Sequence, residues 1–209
     1  CFDLFFDEFL PSDLTDTEIE KIFYLKKNGF LFTLHYPIYD YSVKNSFIEE
    51  LVDFSNKLEP LTVTIHFNKL TEDVLEFMLI NLKKTIKLSI ENVVDNINKY
   101  YDTDYLEFMK KNKKIYNIYS TFDIGHSFIN NEDIITQFEK LNKPGVEIST
   151  MHIHNNDGVN DSHLSLDKGV INYKEIIAYI KEKKLNPIFV IEHWNDNLIT
   201  LRILRELLN

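Results

Sequence analysis

The chain repeats one order of residues, in which a short apolar run is followed by a longer amphipathic segment. The apolar runs are hydrophobic nearly throughout, which is typical of strands that are buried on both faces of a parallel sheet. The pattern predicts seven strands, at Phe2–Phe6, Leu31–His35, Leu61–His66, Ile86–Glu91, Ile115–Asp123, Ile148–His154 and Pro187–Glu192.

Apolar residues at helical spacing fill the segments between these runs. The first segment opens with Thr15 and has Glu18 three residues later, which indicates a capping box, and it ends before Gly29. The predicted helices are Thr15–Lys27, Asn45–Leu58, Thr71–Lys84, Asp102–Lys111, Glu132–Leu141, Tyr173–Lys184 and Asn197–Leu208.

Repeated strand–helix units indicate a parallel α/β architecture. Two versions compete, a closed barrel of the (β/α)8 type and an open doubly wound sheet. The sequence has only five glycines and lacks the glycine-rich phosphate turn of the open nucleotide-binding version. Residues 1–209 are expected to form one domain, because no linker or low-complexity tract interrupts the repeats.

Potential ligands at the ends of the apolar runs favour the barrel. Six successive runs carry one at or near their C-terminal end, and all seven histidines lie at or just beyond such an end. The residues at the six strand ends are His35, His66, Glu91, Asp123, His152 and Glu192. The carboxyl ends of all strands converge at one mouth of a parallel barrel, so these side chains are expected to meet there.

A ring of Glu91, Asp123, His152 and Glu192 would offer three carboxylates and one imidazole. That mixture suits a divalent ion such as Zn²⁺, Mn²⁺, Co²⁺ or Mg²⁺. Metal binding is favoured over structural hydrogen bonding, because buried carboxylates need a compensating cation. Glu91 and Glu192 are also candidate catalytic residues, since a carboxylate beside a metal can act as a general base.

Other polar residues near the strand ends leave two interpretations open. One group would bind additional ions or contact substrate, and it consists of His35, His66, His126, Asp161 and His163. A second group is predicted to face substrate, and it consists of His154, Lys168 and Trp194. Each of these three also has an alternative role. His154 could hold a metal ligand in place, Lys168 could be a solvated surface residue, and Trp194 could pack within its loop.

The charge and residue composition of the chain limit the classes of binding partner that are expected. The formal net charge of −10 argues against a basic nucleic-acid-binding face. Arg202 and Arg205 are the two arginines of the sequence, so any phosphate grip would come from lysines, backbone amides or metal. Cys1 can form no internal disulfide, and no apolar run approaches the ~18–20 residues of a membrane span, so a cytoplasmic protein is expected.

Several motifs carry these candidate residues, and together they extend over most of the chain. They are Ser-Ile-Glu91-Asn, Phe-Asp123-Ile-Gly-His126, His152-Ile-His-Asn-Asn-Asp-Gly, Asp161-Ser-His163-Leu and Val-Ile-Glu192. They resemble the motifs of the xylose-isomerase-like TIM barrels. That superfamily includes sugar and sugar-phosphate isomerases and epimerases, and the endonuclease IV-type apurinic endonucleases (AP endonuclease family 2).

The resemblance implies a site that holds one to three divalent ions. Residues that match Glu91, Asp123, His152 and Glu192 bind the shared metal of the superfamily. In the endonuclease branch, a three-zinc cluster is completed by the residues that match His35, His66, His126, Asp161 and His163.

Two departures from the family pattern change the expectation. The family has eight strands, whereas this chain opens on what resembles the second, so a barrel without its first βα unit is expected. An exposed seam between the flanking strands would favour pairing with another chain, including a homodimer. The family's Leu-Gly-x-Gly also reads Leu166-Asp167-Lys168-Gly169 here, which alters a loop beside the site.

Three functions remain, from different classes. The favoured one is a metal-dependent isomerase or epimerase of a small sugar or sugar phosphate, in which Glu91 and Glu192 move a proton to and from an enediolate. The acidic composition supports it. The alternative is a metal-dependent phosphodiesterase like the apurinic endonucleases, which the complete ligand set supports and the net charge opposes. A non-catalytic barrel is the third, and the retained carboxylates argue against it.

Overall fold

The structure is a computed structural model, and it describes residues 1–6, 10–36, 46–193 and 195–209. Seven parallel strands form one sheet in chain order. They are β1 (Phe2–Phe5), β2 (Phe32–His35), β3 (Thr62–His66), β4 (Lys87–Glu91), β5 (Ile118–Asp123), β6 (Ile148–Ile153) and β7 (Ile188–Ile191). The prediction of a TIM-type barrel with seven strands is confirmed.

Helices cover the outside of the sheet. They are α1 (Asp16–Lys27), α2 (Ser46–Leu58), α3 (Glu72–Asn81), α4 (Tyr105–Asn112), α5 (Ile124–Ile129), α6 (Ile134–Asn142), α7 (Tyr173–Glu182) and α8 (Asn197–Leu208). The sequence pattern missed α5, because six residues are too few to show a helical period. It also missed the short antiparallel pair Ile97–Asn98 and Thr103–Asp104.

Both ends of α1 follow the chemistry read from the sequence. Thr15 and Glu18 form the expected capping box at its start. At its end, the Gly29 N–H donates to the Lys26 carbonyl and the Phe30 N–H donates to the Leu25 carbonyl. Gly29 has φ +84°, the left-handed conformation that this type of helix ending requires and that glycine adopts most easily.

The two faces of each strand have different environments, as β5 illustrates. Phe122 points outward and packs edge-to-face on Phe138 of α6, with ring centroids 4.7 Å apart. Its neighbours Thr121 and Asp123 point into the barrel and are fully buried. The apolar packing of helices on the outer face thus fixes which residues fill the interior.

Hydroxyl groups fill the layer directly below the mouth. Thr121 Oγ1 hydrogen-bonds Thr64 Oγ1 and Ser89 Oγ, each at 2.8 Å, and Ser89 reaches Ser149 at 3.0 Å. These bonds join strands that are not all neighbours in the sheet, so the side chains meet across the barrel interior. The result is a polar floor beneath the strand ends, made of small residues that satisfy one another.

The sheet has its two edges at β1 and β7. A cavity of about 330 Å³ lies between them, and Asp3, Phe5, Val190 and Ile191 contribute to its lining. Within the described ranges, no strand pairs with β1 and β7 to close the sheet. No helix in those ranges is long and apolar enough to cross a membrane.

Thr121→Val tests the polar floor. The substitution removes a hydroxyl that bonds Thr64 and Ser89, so we expect the free energy of unfolding to fall by about 1–3 kcal/mol. Urea denaturation measures the change. Thr17→Val on the exposed side of α1 is the matched control, with an expected change within ~0.5 kcal/mol. Equal effects of the two substitutions would contradict a structural role for the floor.

Candidate metal centre

The mouth of the barrel brings the predicted ligands together in overlapping groups of donor atoms. In each group the donor atoms lie within 4.8 Å of one another. Three donor sets cover their members: the first is His35, His66 and Glu91; the second is Glu91, Asp123, His152 and Glu192; the third is His126, Asp161 and His163, whose group also includes His154. A further group, formed by His35, His152 and Glu192, spans the first and second sets. All nine residues that the family resemblance implied are therefore contiguous at one end of the sheet.

Glu91 belongs to two sets because its carboxylate oxygens face different histidines. Its Oε2 lies 2.7 Å from His35 Nε2 and 3.4 Å from His66 Nε2. Its Oε1 lies 3.1 Å from His152 Nδ1. One buried carboxylate thus joins the first and second sets, as a ligand that bridges two cations would.

His152 is central to the second set. Its Nδ1 lies 3.1 Å from Glu91 Oε1, 3.1 Å from Glu192 Oε2 and 3.7 Å from Asp123 Oδ2. Three carboxylates around one imidazole nitrogen carry far more negative than positive charge. The chemistry of this donor set therefore suits a divalent cation bound between them.

Asp161 joins the two histidines of the third set. Its Oδ2 lies 3.1 Å from His126 Nε2 and 3.2 Å from His163 Nε2. The Nδ1 atoms of both rings donate to backbone carbonyls, at 3.0 Å for His126 to Asn92 and at 2.6 Å for His163 to Glu192. This orients both Nε2 atoms toward a common point, which is how proteins usually prepare histidine ligands.

Local structure holds Asp123 and His126 in place. Asp123 ends β5 and caps α5, and its Oδ1 accepts the His126 N–H at 2.6 Å. The Asn92 side chain pairs with the Asp123 backbone, accepting its N–H at 2.7 Å and donating to its carbonyl at 2.8 Å. Because Asn92 directly follows Glu91, one short motif supplies the carboxylate shared by two donor sets and fixes the next candidate ligand, Asp123.

Asn92 supports the candidate site, and the sequence analysis missed it. The signal was its position in Ser-Ile-Glu91-Asn, but a side chain that bonds only backbone leaves no pattern in the sequence. Phe5 is a second such residue. It stacks on His35 with ring centroids 4.3 Å apart, so a residue of the edge strand β1 positions a ligand of the first set.

Charge coupling inside the mouth is strong. Burial alone would raise the pKa of Glu91, but the neighbouring histidines, His152 foremost, hold it well below its ordinary value. Burial alone would lower the pKa of His152, but Glu192 and Glu91 hold it well above the ordinary value. The pKa of His126 is likewise raised against burial, chiefly by Asp123. In the ion-free protein these histidines therefore keep a proton at neutral pH.

His66 and His163 differ from each other because their surroundings differ. Burial lowers the pKa of His66 to about 3, so its ring is neutral and available as a ligand. Against burial, the hydrogen bond and charge of Asp161 raise the pKa of His163 to about 9. The two rings also belong to different groups of donors, the first and third sets.

One orphaned atom supports the fit of a cation. Glu192 Oε2 is buried and has no hydrogen-bond partner among the residues that the structure describes. It nevertheless faces His152 Nδ1 at 3.1 Å. An unsatisfied carboxylate oxygen is costly in a buried position, and a metal ion in the second set would compensate it.

The predicted substrate-facing residues fall in three different situations. His154 is completely buried and bonds Asp123, which favours support of a ligand over contact with substrate. Lys168 is exposed and forms an ion pair with Asp196. Trp194 lies outside the described residues.

Two further polar side chains lie near the mouth. His193 is buried and hydrogen-bonds Thr200 Oγ1 at 2.7 Å, so it packs against α8. Tyr36 is fully buried, with its hydroxyl 2.8 Å from Ser55 Oγ. The Tyr36 hydroxyl and the His193 Nε2 atom are therefore engaged by the body of the fold.

The chain belongs to the xylose isomerase-like TIM barrel family, whose model matches residues 62–209. Two proteins of Methanocaldococcus jannaschii are similar to it, and both are uncharacterized. MJ1614 is 26% identical over 190 residues, which cover 80% of this chain and 72% of that protein. MJ1311 is 37% identical over 95 residues, which cover 44% of this chain and 32% of that protein.

Solved structures share the fold at low sequence identity. Endonuclease IV from Thermus thermophilus superposes with a TM-score of 0.70 at 16% identity, covering 100% of this chain and 88% of that chain. A D-tagatose 3-epimerase-like protein gives 0.68 at 20% identity, with 99% and 87% covered. The TTHB071 protein of Thermus thermophilus, soaked with ZnCl2, gives 0.69 at 16% identity, with 98% and 87% covered.

Proton release on metal binding tests the centre. His152 and His126 hold protons in the ion-free protein because their pKa values are raised, and a metal ligand must be the neutral imidazole. We therefore expect zinc binding to release protons and to tighten as the pH rises from about 6 toward 8. Calorimetry in buffers of different ionisation enthalpy measures the release. His152→Ala should release about one proton fewer, and binding without proton release would contradict the assignment.

Proposed function

We propose that this chain is a divalent-metal-dependent hydrolase of phosphodiesters, with a centre that takes up to three ions. The observation that carries the proposal is the completeness of three donor sets, two of them joined through Glu91. A sugar isomerase needs the second set alone, and His126, Asp161 and His163 would then serve as substrate contacts, whereas a hydrolase would use all three sets to hold cations. Phosphodiester hydrolysis uses several cations around one phosphate.

The residues of the three sets would each hold a different part of the metal centre. Divalent ions bound there would supply positive charge to stabilise negative oxygens and would make water more acidic. Glu91 keeps the first and second sets at a fixed separation, since each of its oxygens serves one of them. Glu192 and Asp123 complete the second set, and both approach the Nδ1 atom of His152.

Differences in exposure indicate where a substrate would approach. Glu91, Asp123 and His152 are buried at the bottom of the mouth. The side chains of Asp161 and His163 are 33% and 27% exposed, and that of His66 is 16% exposed. A phosphate group would therefore enter between the first and third sets, above the bridging carboxylate.

No arginine lies at the strand ends, so the positive charge that a phosphate needs would have to come from bound cations. The two arginines of the sequence, Arg202 and Arg205, lie in the last helix. Without bound cations, the carboxylates of the donor sets would repel a phosphate, and the protonated histidines beside them are already paired with those carboxylates. Binding of a phosphodiester by these residues thus depends on metal, and the ion-free protein is expected not to bind it.

An isomerase or epimerase of a small sugar or sugar phosphate is the second candidate. The observation that favours it is the placement of Glu91 and Glu192, which both reach His152 Nδ1 at 3.1 Å. Two carboxylates that border one ion could remove and return a proton on a bound sugar. The acidic composition also favours a small substrate over a nucleic acid. A non-catalytic barrel gives no reason for buried carboxylates without cations.

His163→Ala separates the two enzyme candidates. It removes a ligand of the third set and leaves the second set intact. We expect zinc-loaded wild-type protein to cleave a labelled duplex that contains an abasic site. His163→Ala should reduce cleavage about 100-fold, equivalent to about 3 kcal/mol. Gel electrophoresis measures the product, and His193→Phe is the matched control that keeps all three sets.

The isomerase is tested with the same proteins. Keto sugars are incubated in deuterium oxide, and proton exchange is followed by NMR. Exchange that persists in His163→Ala and disappears in Glu192→Gln, without cleavage of DNA, would overturn the hydrolase and establish the isomerase. Failure of both reactions in a protein that binds three ions would contradict both enzyme candidates.

A further inference from the structure

His154 is a buried histidine whose donor atom lies within 4.8 Å of those of His126, Asp161 and His163. Its side chain is completely inaccessible to solvent. Its Nε2 lies 3.1 Å from Asp123 Oδ1 and 3.0 Å from Asp123 Oδ2. It therefore contacts a member of the second set directly, from behind the mouth.

The same ring also contacts the third set. His154 stacks on His163 with ring centroids 3.9 Å apart and planes that differ by 5°. It meets His126 edge-to-face at 5.9 Å. His154 thus contacts residues of two sets. Its in-plane Nε2 atom contacts Asp123 of the second set, and the face of its ring stacks on His163 of the third.

Stacking excludes His154 as a fourth ligand of the third ion. A ligating nitrogen lone pair lies in the plane of its ring, and zinc sits about 2.0–2.1 Å from it. Two parallel rings at stacking distance cannot both direct lone pairs to one ion, although His154 lies within 4.8 Å of the other donors. His126, Asp161 and His163 are therefore the residues of this group that would hold an ion together.

Gly125 creates the space that His154 occupies. A Cβ at residue 125 would lie 2.1 Å from His154 Cε1 and 2.5 Å from its Nε2. Gly125 lies in α5, where its backbone conformation is open to any residue, so the requirement for glycine comes from the neighbouring ring. The glycine of the motif Asp123-Ile-Gly125-His126 therefore leaves the space that the ring of His154 fills.

We infer that His154 is a positioning residue that couples the second and third donor sets. This inference rests on the metal centre of the proposed function. The Nε2–H of His154 holds the Asp123 carboxylate toward the second set, while its ring supports His163 in the third set. Its buried Nδ1 has no hydrogen-bond partner among the described residues, so the ring is held by these two contacts and by packing.

Two substitutions separate the two contacts. His154→Phe keeps an aromatic ring on His163 and loses the donor to Asp123. His154→Gln keeps a donor amide near the position of Nε2 and loses the ring. We expect His154→Phe to weaken zinc at the second set about 10-fold and His154→Gln to weaken it at the third set about 10-fold, as substitutions behind metal ligands do.

Calorimetric zinc titration measures both affinities. The titrations are repeated in an Asp161→Asn background, which lacks a ligand of the third set. A loss of affinity that remains in this background belongs to the second set, and one that disappears belongs to the third. His193→Phe is the matched control, because His193 is a buried histidine outside the donor sets. A purely structural role would lower the melting temperature of both His154 variants without this split between the sets.

Gly125→Ala provides an independent test of the same packing. In the wild-type background the added methyl group collides with the His154 ring, so we expect zinc binding to weaken by about 10-fold or more. In His154→Ala the space is free, so Gly125→Ala should cause no further loss. This non-additivity is the signature of direct contact between the two positions.

The outcomes distinguish this inference from the proposed function. Wild-type protein that binds three ions, with both His154 variants equal to wild type, would overturn the coupling role and leave the proposed function intact. Equal losses at both sets in both variants would also overturn it. Wild-type protein that binds no ion would overturn the proposed function, and the inference with it.

Discussion

The Glu91 carboxylate, buried at the end of β4 and shared between two groups of histidines, is the constraint on which the rest of the mouth depends. An isolated carboxylate in this position would be protonated or would destabilise the fold. Histidines on β2, β3 and β6 surround it instead, and they keep it ionised. Because these strands contribute one residue each, the site exists only when the parallel sheet brings their carboxyl ends together.

The residues that support the candidate ligands from below and behind are also polar, but none of them carries a negative charge. Beneath the mouth, Thr64, Ser89 and Thr121 satisfy one another with neutral hydroxyl bonds. Behind it, Asn92 pairs with the backbone of Asp123, and His154 binds the carboxylate of the same residue. These supporting groups add no negative charge of their own, so the carboxylates of the donor sets carry the negative charge of the mouth, and it becomes available to a cation when the neighbouring histidines lose their protons.

Much of this arrangement was predictable from the sequence, because strand ends in a parallel barrel have a fixed common location. The buried runs predicted all seven strands, and the residues at six of their ends are the ones that the first and second donor sets bring together. The pattern could not reveal α5, which is too short to show a period, or the role of Asn92, which bonds only backbone. The contact between Gly125 and His154 was also invisible, since it joins residues of separate motifs through shape alone.

The proposed centre would place the Glu91 carboxylate between two of three divalent cations. Anomalous diffraction above the zinc absorption edge, from crystals grown with zinc, tests it most directly. We expect three peaks, one in each donor set, with the Glu91 oxygens directed to the first two. A single peak among Glu91, Asp123, His152 and Glu192, with the first and third sets empty at saturating zinc, would contradict the three-ion centre and favour the isomerase.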